Sequence, residues 1–248
     1  MRRAARKTGK EMTAASAAGV FVACCPNAGK ERSDNCLKRV SFISGFAPTE
    51  DVEASYRALC SNLMTGNISR KVFLLTGHSQ GEGTSMAAIR LAAVCAGMGN
   101  KVLLLDADMR RSVLKTRLAV FGQALPGLSE YLQDASSIEE AVYSTDISGL
   151  YLMPPGGLPK NPSELLASER FRELIEIIRR VFDFVFIDTP PIGHCADATT
   201  AAVRADSAIL VVESGGTRGR DAKRDLLQLG RSHCPVEGAL LMKSKGAG

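Results

Sequence analysis

No stretch of this 248-residue sequence approaches the roughly 20 consecutive apolar residues needed to cross a bilayer, so a helical membrane span is excluded. The seven cysteines, Cys24, Cys25, Cys36, Cys60, Cys95, Cys195 and Cys234, include no C-x-x-C pair and have no histidine at ligand spacing. An odd number so arranged argues against a disulfide framework or a zinc site and for reduced thiols in a cytosol. Internal repeats, heptads and low-complexity tracts are missing too, and no composition break follows residue 50. What is present, 45% hydrophobic residues over this length, suffices for one well-buried domain.

Charge is uneven. Residues 1–50 hold nine Lys/Arg against four Asp/Glu, whereas residues 51–248 hold 22 of each, so the net charge of +5 belongs to the first fifty positions. We therefore expect residues 1–50 to be a basic, flexible tail and 51–248 a single domain. The opening Met1-Arg2-Arg3-Ala4-Ala5-Arg6-Lys7 suits an anionic membrane surface, a nucleic acid or an acidic partner, or simply a solvated extension. Met12–Cys25 imitates a short signal peptide, with Val22-Ala23-Cys24 near a lipoprotein cleavage pattern, but Phe21 fits that site poorly.

From about residue 70, short apolar β-branched runs alternate with helical patterns. Strands are predicted at Lys71–Thr76, Lys101–Leu105, Leu150–Met153, Phe184–Ile187, Ala208–Val212 and Ala239–Leu241. Continuous apolar strands separated by helices mean a mostly parallel sheet covered on both faces, a doubly wound α/β fold. The clearest helix start is Asn161-Pro162-Ser163-Glu164, a capping side chain followed by proline at the first helical position and a capping-box glutamate. Phe171, Leu174, Ile175 and Ile178 then share one face, which docks the helix on the sheet.

Three motifs carry chemistry. After the first strand comes Thr76-Gly77-His78-Ser79-Gln80-Gly81-Glu82-Gly83-Thr84-Ser85-Met86, then a helical run from Ala87. A strand, a glycine-bearing loop and a helix in that order aim backbone N–H groups and a positive helix end at a polyphosphate. Gly81, Glu82, Gly83, Thr84, Ser85 and Met86 are the candidate nucleotide contacts, Ser85 stands where a hydroxyl binds Mg²⁺, and His78 is within the loop's reach of phosphate. The second motif, Lys101–Arg111, delivers Asp106 and Asp108 to one side of an extended chain, as a Mg²⁺ site and a base for an attacking hydroxyl. The alternative is a surface ion-pair cluster with Arg110 and Arg111. The third, Asp183–Pro191, ends a buried strand in Asp188, suited to hold a metal-bound water or to cap the next helix. The candidate catalytic residues are thus Asp106, Asp108 and Asp188, and the candidate metal ligands Ser85, Asp106 and Asp188.

From about Ser55 to Leu241 the chain resembles the cytoplasmic domain of the bacterial tyrosine kinases, members of the partition and nitrogenase-type P-loop ATPases. The likeness rests on Tyr56-Arg57-Ala58-Leu59, Gly81-Glu82-Gly83, Asp106–Arg111, Gly127-Leu128-Ser129, Pro154–Gly157, Asn161–Leu166 with Arg170-Phe171, Asp188-Thr189-Pro190-Pro191, Asp197-Ala198 and Ala205-Asp206. It implies ATP or ADP with Mg²⁺ as ligand, γ-phosphoryl transfer to tyrosine, and a cytoplasmic place beside the inner membrane. It also implies a membrane-embedded polysaccharide co-polymerase as activator, in capsule or exopolysaccharide synthesis and export. Nucleic acid is not the expected partner.

The sequence departs from that family at particular positions. Thr84 replaces the P-loop lysine, and no second lysine stands near Gly77-His78. Of the subunit-contact motif Glu-x-x-Arg-x-x-Arg only Arg57 is in register, with Cys60 in the last position, so homo-oligomer formation is expected to be weakened. The chain ends Met242–Gly248 without a tyrosine cluster, so autophosphorylation in the family's form is not expected, and Met242 takes the place of an adenine-reading Asn. Three readings remain: a nucleotide-binding regulator with impaired catalysis, an active kinase using Arg90, Arg110 or Arg111 as substitute cation, and a partition-type positioning ATPase.

Overall fold

A computed structural model describes residues 37–42, 50–66, 69–118 and 125–242; the basic start and the signal-like stretch lie outside them. Helix α1 (Glu50–Thr65) leads into strand β1 (Val72–Gly77), which is followed by α2 (Thr84–Gly97) and β2 (Val102–Asp106). Two short helices, α3 (Leu128–Leu132) and α4 (Ile138–Ala141), precede β3 (Tyr143–Ser144) and β4 (Leu150–Met153). Then come α5 (Pro162–Ala167), α6 (Glu169–Val181), β5 (Phe184–Asp188), α7 (Asp197–Ala202), β6 (Ser207–Glu213), α8 (Gly219–Arg231) and β7 (Val236–Met242). The strands form one sheet in the order β3-β4-β2-β5-β1-β6-β7, parallel except for the β3–β4 pair. The fold is doubly wound α/β, and all six predicted strands are present. The missed β3 has two residues, too few to show a pattern.

Strand alternation sorts the core into two layers. Val72, Leu74, Leu103, Leu105, Val185 and Ile187 face one layer, packed with Phe171, Leu174, Ile175 and Ile178 of α6. Phe73, Leu75, Val102, Leu104, Phe184 and Phe186 face the other, with Tyr56, Cys60, Ile89 and Leu91 of α1 and α2. Successive side chains of a strand point to opposite faces, so strands covered on both sides read as unbroken apolar runs.

Three expectations are corrected. Cys60 and Cys95 are disulfide-bonded, with Cα atoms 5.8 Å apart, joining α1 to α2; the odd count and the spacing hid a pair made by helix packing, whereas Cys195 and Cys234 are free. The helix expected from Asn161 is two helices: Ser168 leaves helical geometry, and its hydroxyl accepts from the Phe171 N–H at 3.2 Å to start α6. Asn161 makes no capping hydrogen bond; its side-chain amide donates instead to Glu164 at 2.9 Å, while Pro162 does open α5. In addition, Leu37, Val40 and Phe42 are buried, and the Val40 N–H donates to the Ser144 carbonyl at 2.9 Å, so packed chain begins ahead of residue 50.

Candidate functional site: a phosphate loop facing two buried carboxylates

β1, β2 and β5 are neighbours, and their carboxyl ends deliver the three motifs to one edge of the sheet, where ligands of open α/β folds bind. The loop after β1 turns through Gly81 and Gly83 at φ 92° and 85°, left-handed values that favour glycine. Gly83 is the N-cap of α2.

The loop is braced from within. Glu82 is buried, and its carboxylate accepts from the His78 N–H at 2.6 Å and from the Thr217 hydroxyl at 2.6 Å. Both contacts hold the loop's shape. The His78 ring is also committed, with Nδ1 3.0 Å from Asp225 Oδ2 on α8. Asp225 is fully buried, and burial lifts its carboxyl above the ordinary range despite the opposing pull of His78. Neither Asp225 nor Thr217 carried a signal in the sequence, because each comes from a segment over a hundred positions away.

Thr84 opens α2 with its hydroxyl turned back on Gly77, where a Cβ atom would meet Thr84 Oγ1 at 2.8 Å. The Thr84 side chain thus brings a short neutral hydroxyl, folded into the loop, to the start of α2. Ser85 and Met86 follow, both half-buried, in the first turn of α2.

Asp106 ends β2 and Asp188 ends β5, and the two are register partners. Both are buried. Asp106 accepts from the Asp108 N–H at 2.9 Å and from the Ser112 hydroxyl. Neither oxygen of Asp188 has a hydrogen-bond partner. Burial above all, and then the Asp108 charge, push the Asp188 carboxyl up to about 7, against a lowering influence from the nearby Ser85 hydroxyl. Burial, then Asp188, likewise hold Asp106 well above the carboxylate range. β2 stops at Asp106, so Asp108 is not placed by strand alternation; its carboxylate accepts the N–H groups of Arg110 (3.1 Å) and Arg111 (2.9 Å) and shapes the turn.

Two carboxylates at the end of parallel strands, one with both oxygens unpartnered, beside a serine hydroxyl, are donors that fit Mg²⁺, which takes oxygen ligands and keeps room for water and phosphate. Such an ion would supply the positive charge the pair lacks. Among the described residues no group of three or more His, Cys, Asp or Glu side chains is arranged to hold a metal alone.

The surface ion-pair alternative for this motif is not what forms. Arg110 Nε donates to Asp197 Oδ2 at 2.6 Å, and the Ser163 hydroxyl donates to the same carboxylate. Burial pushes Asp197 up, but the hydrogen bonds from Arg110 and Ser163 outweigh it and hold the carboxyl below its ordinary range. Three segments that the sequence offers separately, Asp106–Arg111, Asn161–Leu166 and Asp197-Ala198, are thus one joint. Asp206 clamps the other end of β1, accepting the N–H groups of Lys71 and Val72, both at 2.8 Å.

Residues 71–219 match the AAA domain family. A tyrosine-protein kinase of Streptococcus pneumoniae serotype 4, CpsD, is 35% identical over 199 residues, which span 78% of this chain and 84% of that protein. The chain belongs to the family of bacterial tyrosine-protein kinases. A second relative, the tyrosine-protein kinase YwqD of Bacillus subtilis, is 35% identical over 192 residues, 77% of this chain and 80% of its own. Among solved structures, the VpsO kinase domain superposes with a TM-score of 0.72 at 30% identity, covering 79% of this chain and 98% of that one. Three other residues that the sequence singles out are engaged within the fold. Arg57 is paired with Glu53 on its own helix at 2.7 Å, Cys60 is bonded to Cys95, and Met242 lies over Gly83, where a Cβ would meet its Cε at 3.2 Å. No helix among the described residues is long and apolar enough to cross a membrane.

Proposed function

We propose that this protein binds ATP or ADP with Mg²⁺ and regulates capsular or exopolysaccharide synthesis and export, with phosphoryl transfer to tyrosine slowed by Thr84. The observation that carries the reading is the contrast within the site: Asp106, Asp188 and Ser85 keep a donor set suited to Mg²⁺, while the Thr84 hydroxyl is folded against Gly77. Ligand binding through backbone N–H groups and the metal survives such a change. Stabilisation of the charge that develops during transfer does not, because it depends on a fixed cation at the phosphates.

In this reading Gly81, Gly83, Ser85 and Met86 border the nucleotide, Ser85, Asp106 and Asp188 hold the metal, and Asp108 is the base candidate. Glu82 and Thr84 contribute to the loop's shape rather than to a charged contact. The protein works at the cytoplasmic side of the inner membrane through a membrane-embedded polysaccharide co-polymerase. Self-association is weak, since Arg57 is engaged within α1 and Cys60 cannot offer a guanidinium. Family membership speaks against a partition-type positioning role.

Calorimetric titration with ADP in the presence of Mg²⁺ tests this. Binding is expected for the wild type and a strong loss for Asp106→Asn. Absence of both heat and thermal stabilisation in the wild type would remove nucleotide from the account.

A further inference from the structure

With no lysine at position 84, the cations around the phosphate loop can be sorted by what holds them. Arg110 is bound to buried Asp197, and Arg90 hydrogen-bonds the Tyr56 hydroxyl. Lys115 Nζ donates to the Gly156 carbonyl at 3.2 Å. Arg224 pairs with Asp221 at 3.6 Å and reaches the loop only at His78, on the α8 side.

Arg111 is held differently. Its N–H is fixed by Asp108, two residues past Asp106, while its guanidinium crosses to the loop, Nη1 donating to Gln80 Oε1 at 3.1 Å. The residue is exposed, and among the described residues no carboxylate lies within ion-pairing distance of it. It therefore spans from the segment bearing the carboxylate pair to the loop opposite, tethered only by a neutral amide.

We propose that Arg111 is the cation that meets the terminal phosphate of a bound nucleoside triphosphate. This rests on the nucleotide-binding reading above and assigns a charged contact at the outer end of the polyphosphate. A guanidinium is permanently charged, and its planar fork matches two phosphate oxygens. Charge-assisted hydrogen bonds are about twice as strong as neutral ones, so exchanging the Gln80 amide for phosphate is favourable. Because Arg111 arrives from the Asp106 side and not from the first turn of α2, it serves the outer phosphate. The inner, bridging position remains uncharged.

The test is calorimetry on the whole chain with Mg²⁺ and either ADP or a non-hydrolysable ATP analogue. Arg111→Ala should weaken the analogue by about 10- to 100-fold, the range for one charged hydrogen bond, and ADP by less than about 3-fold. Arg111→Lys should recover part of the loss, and in a Thr84→Lys background the effect of Arg111→Ala should shrink. Arg111 is exposed, so the ligand-free melting temperature should stay at the wild-type value in both Arg111 variants. Unchanged analogue affinity in Arg111→Ala, or equal losses for both nucleotides, would overturn the proposal. A wild type that binds neither nucleotide sinks it together with the reading beneath it, and that outcome is recognisable before any variant is made.

Discussion

Asp106 and Asp188 sit opposite each other on adjacent strands, both buried, and neither Asp188 oxygen has a well-formed hydrogen bond, the nearby Ser85 hydroxyl being the one donor that lowers its pKa. Two carboxylates so placed cannot both ionise cheaply, and a divalent cation between them relieves the repulsion and the missing partners together.

pH dependence follows from the sign of these shifts. A carboxyl whose folded pKa is raised, here from 3.8 to about 7 for Asp188, stabilises the ligand-free fold below its unfolded value and loses that contribution as pH rises through about 7. Denaturant melts of Asp188→Asn and wild type should show the variant gaining relative stability between about pH 4 and about pH 7. Mg²⁺ binding needs the ionised pair, so Mg²⁺ affinity should climb over the same interval and level off above it. A flat Mg²⁺ profile would refute the assignment of this pair.

Thr84→Lys places a charge in the first turn of α2, where the proposed function needs one. Purified wild-type protein is expected to turn ATP over slowly, and the variant to be faster by up to roughly 10²–10³-fold, the usual worth of a transition-state donor. Steady-state phosphate release measures it. A wild-type rate untouched by Thr84→Lys yet abolished by Asp106→Asn would show that the lysine is dispensable here.

Arg110→Ala should strip Asp197 of its strongest donor and loosen the joint between the Asp106–Arg111 turn and α7. Because the Arg110 side chain is 43% exposed, solvent screens the loss, and about 1–3 kcal/mol of stability is expected to go at neutral pH. Asp197 is held below its ordinary range, so its contribution exists above about pH 4 and fades as the carboxyl protonates. Urea melts of both proteins should therefore converge on acidification.

The Cys60–Cys95 bond closes a loop of sequence separation 35. Loop-closure entropy puts its worth at about 3–4 kcal/mol, so reduction, or Cys60→Ser, should lower stability by about 2–4 kcal/mol. Thiol labelling of unfolded protein, read by mass spectrometry, checks the bond directly, with Cys60 and Cys95 labelled only after prior reduction.

Much of the fold was legible because a parallel sheet buried on both faces must be written as unbroken apolar runs, and each run here, such as Val102–Leu105, is short and bounded. The candidate site residues stood out in the sequence because Asp106 and Asp188 fall at strand ends and Gly81 and Gly83 lie in the loop between a strand and a helix. What misled was local reasoning carried past an element boundary. Strand alternation was extended to Asp108 although β2 had ended, and a single helix was drawn through Ser168 although its hydroxyl starts a new one.

The sequence by itself determined the doubly wound sheet, the order of the glycine-bearing loop and the carboxylates along it, and the neutral Thr84 in that loop, because these depend on short-range pattern and on residue identity. Tertiary structure alone decided which side chains the site has to work with. Glu82 turned inward to Thr217, His78 was claimed by Asp225, Arg110 by Asp197 and Cys60 by Cys95, each partner coming from a distant segment. Packing, not spacing, left Arg111 reaching the loop at Gln80, because only the folded chain brings residues 80 and 111 within hydrogen-bonding distance.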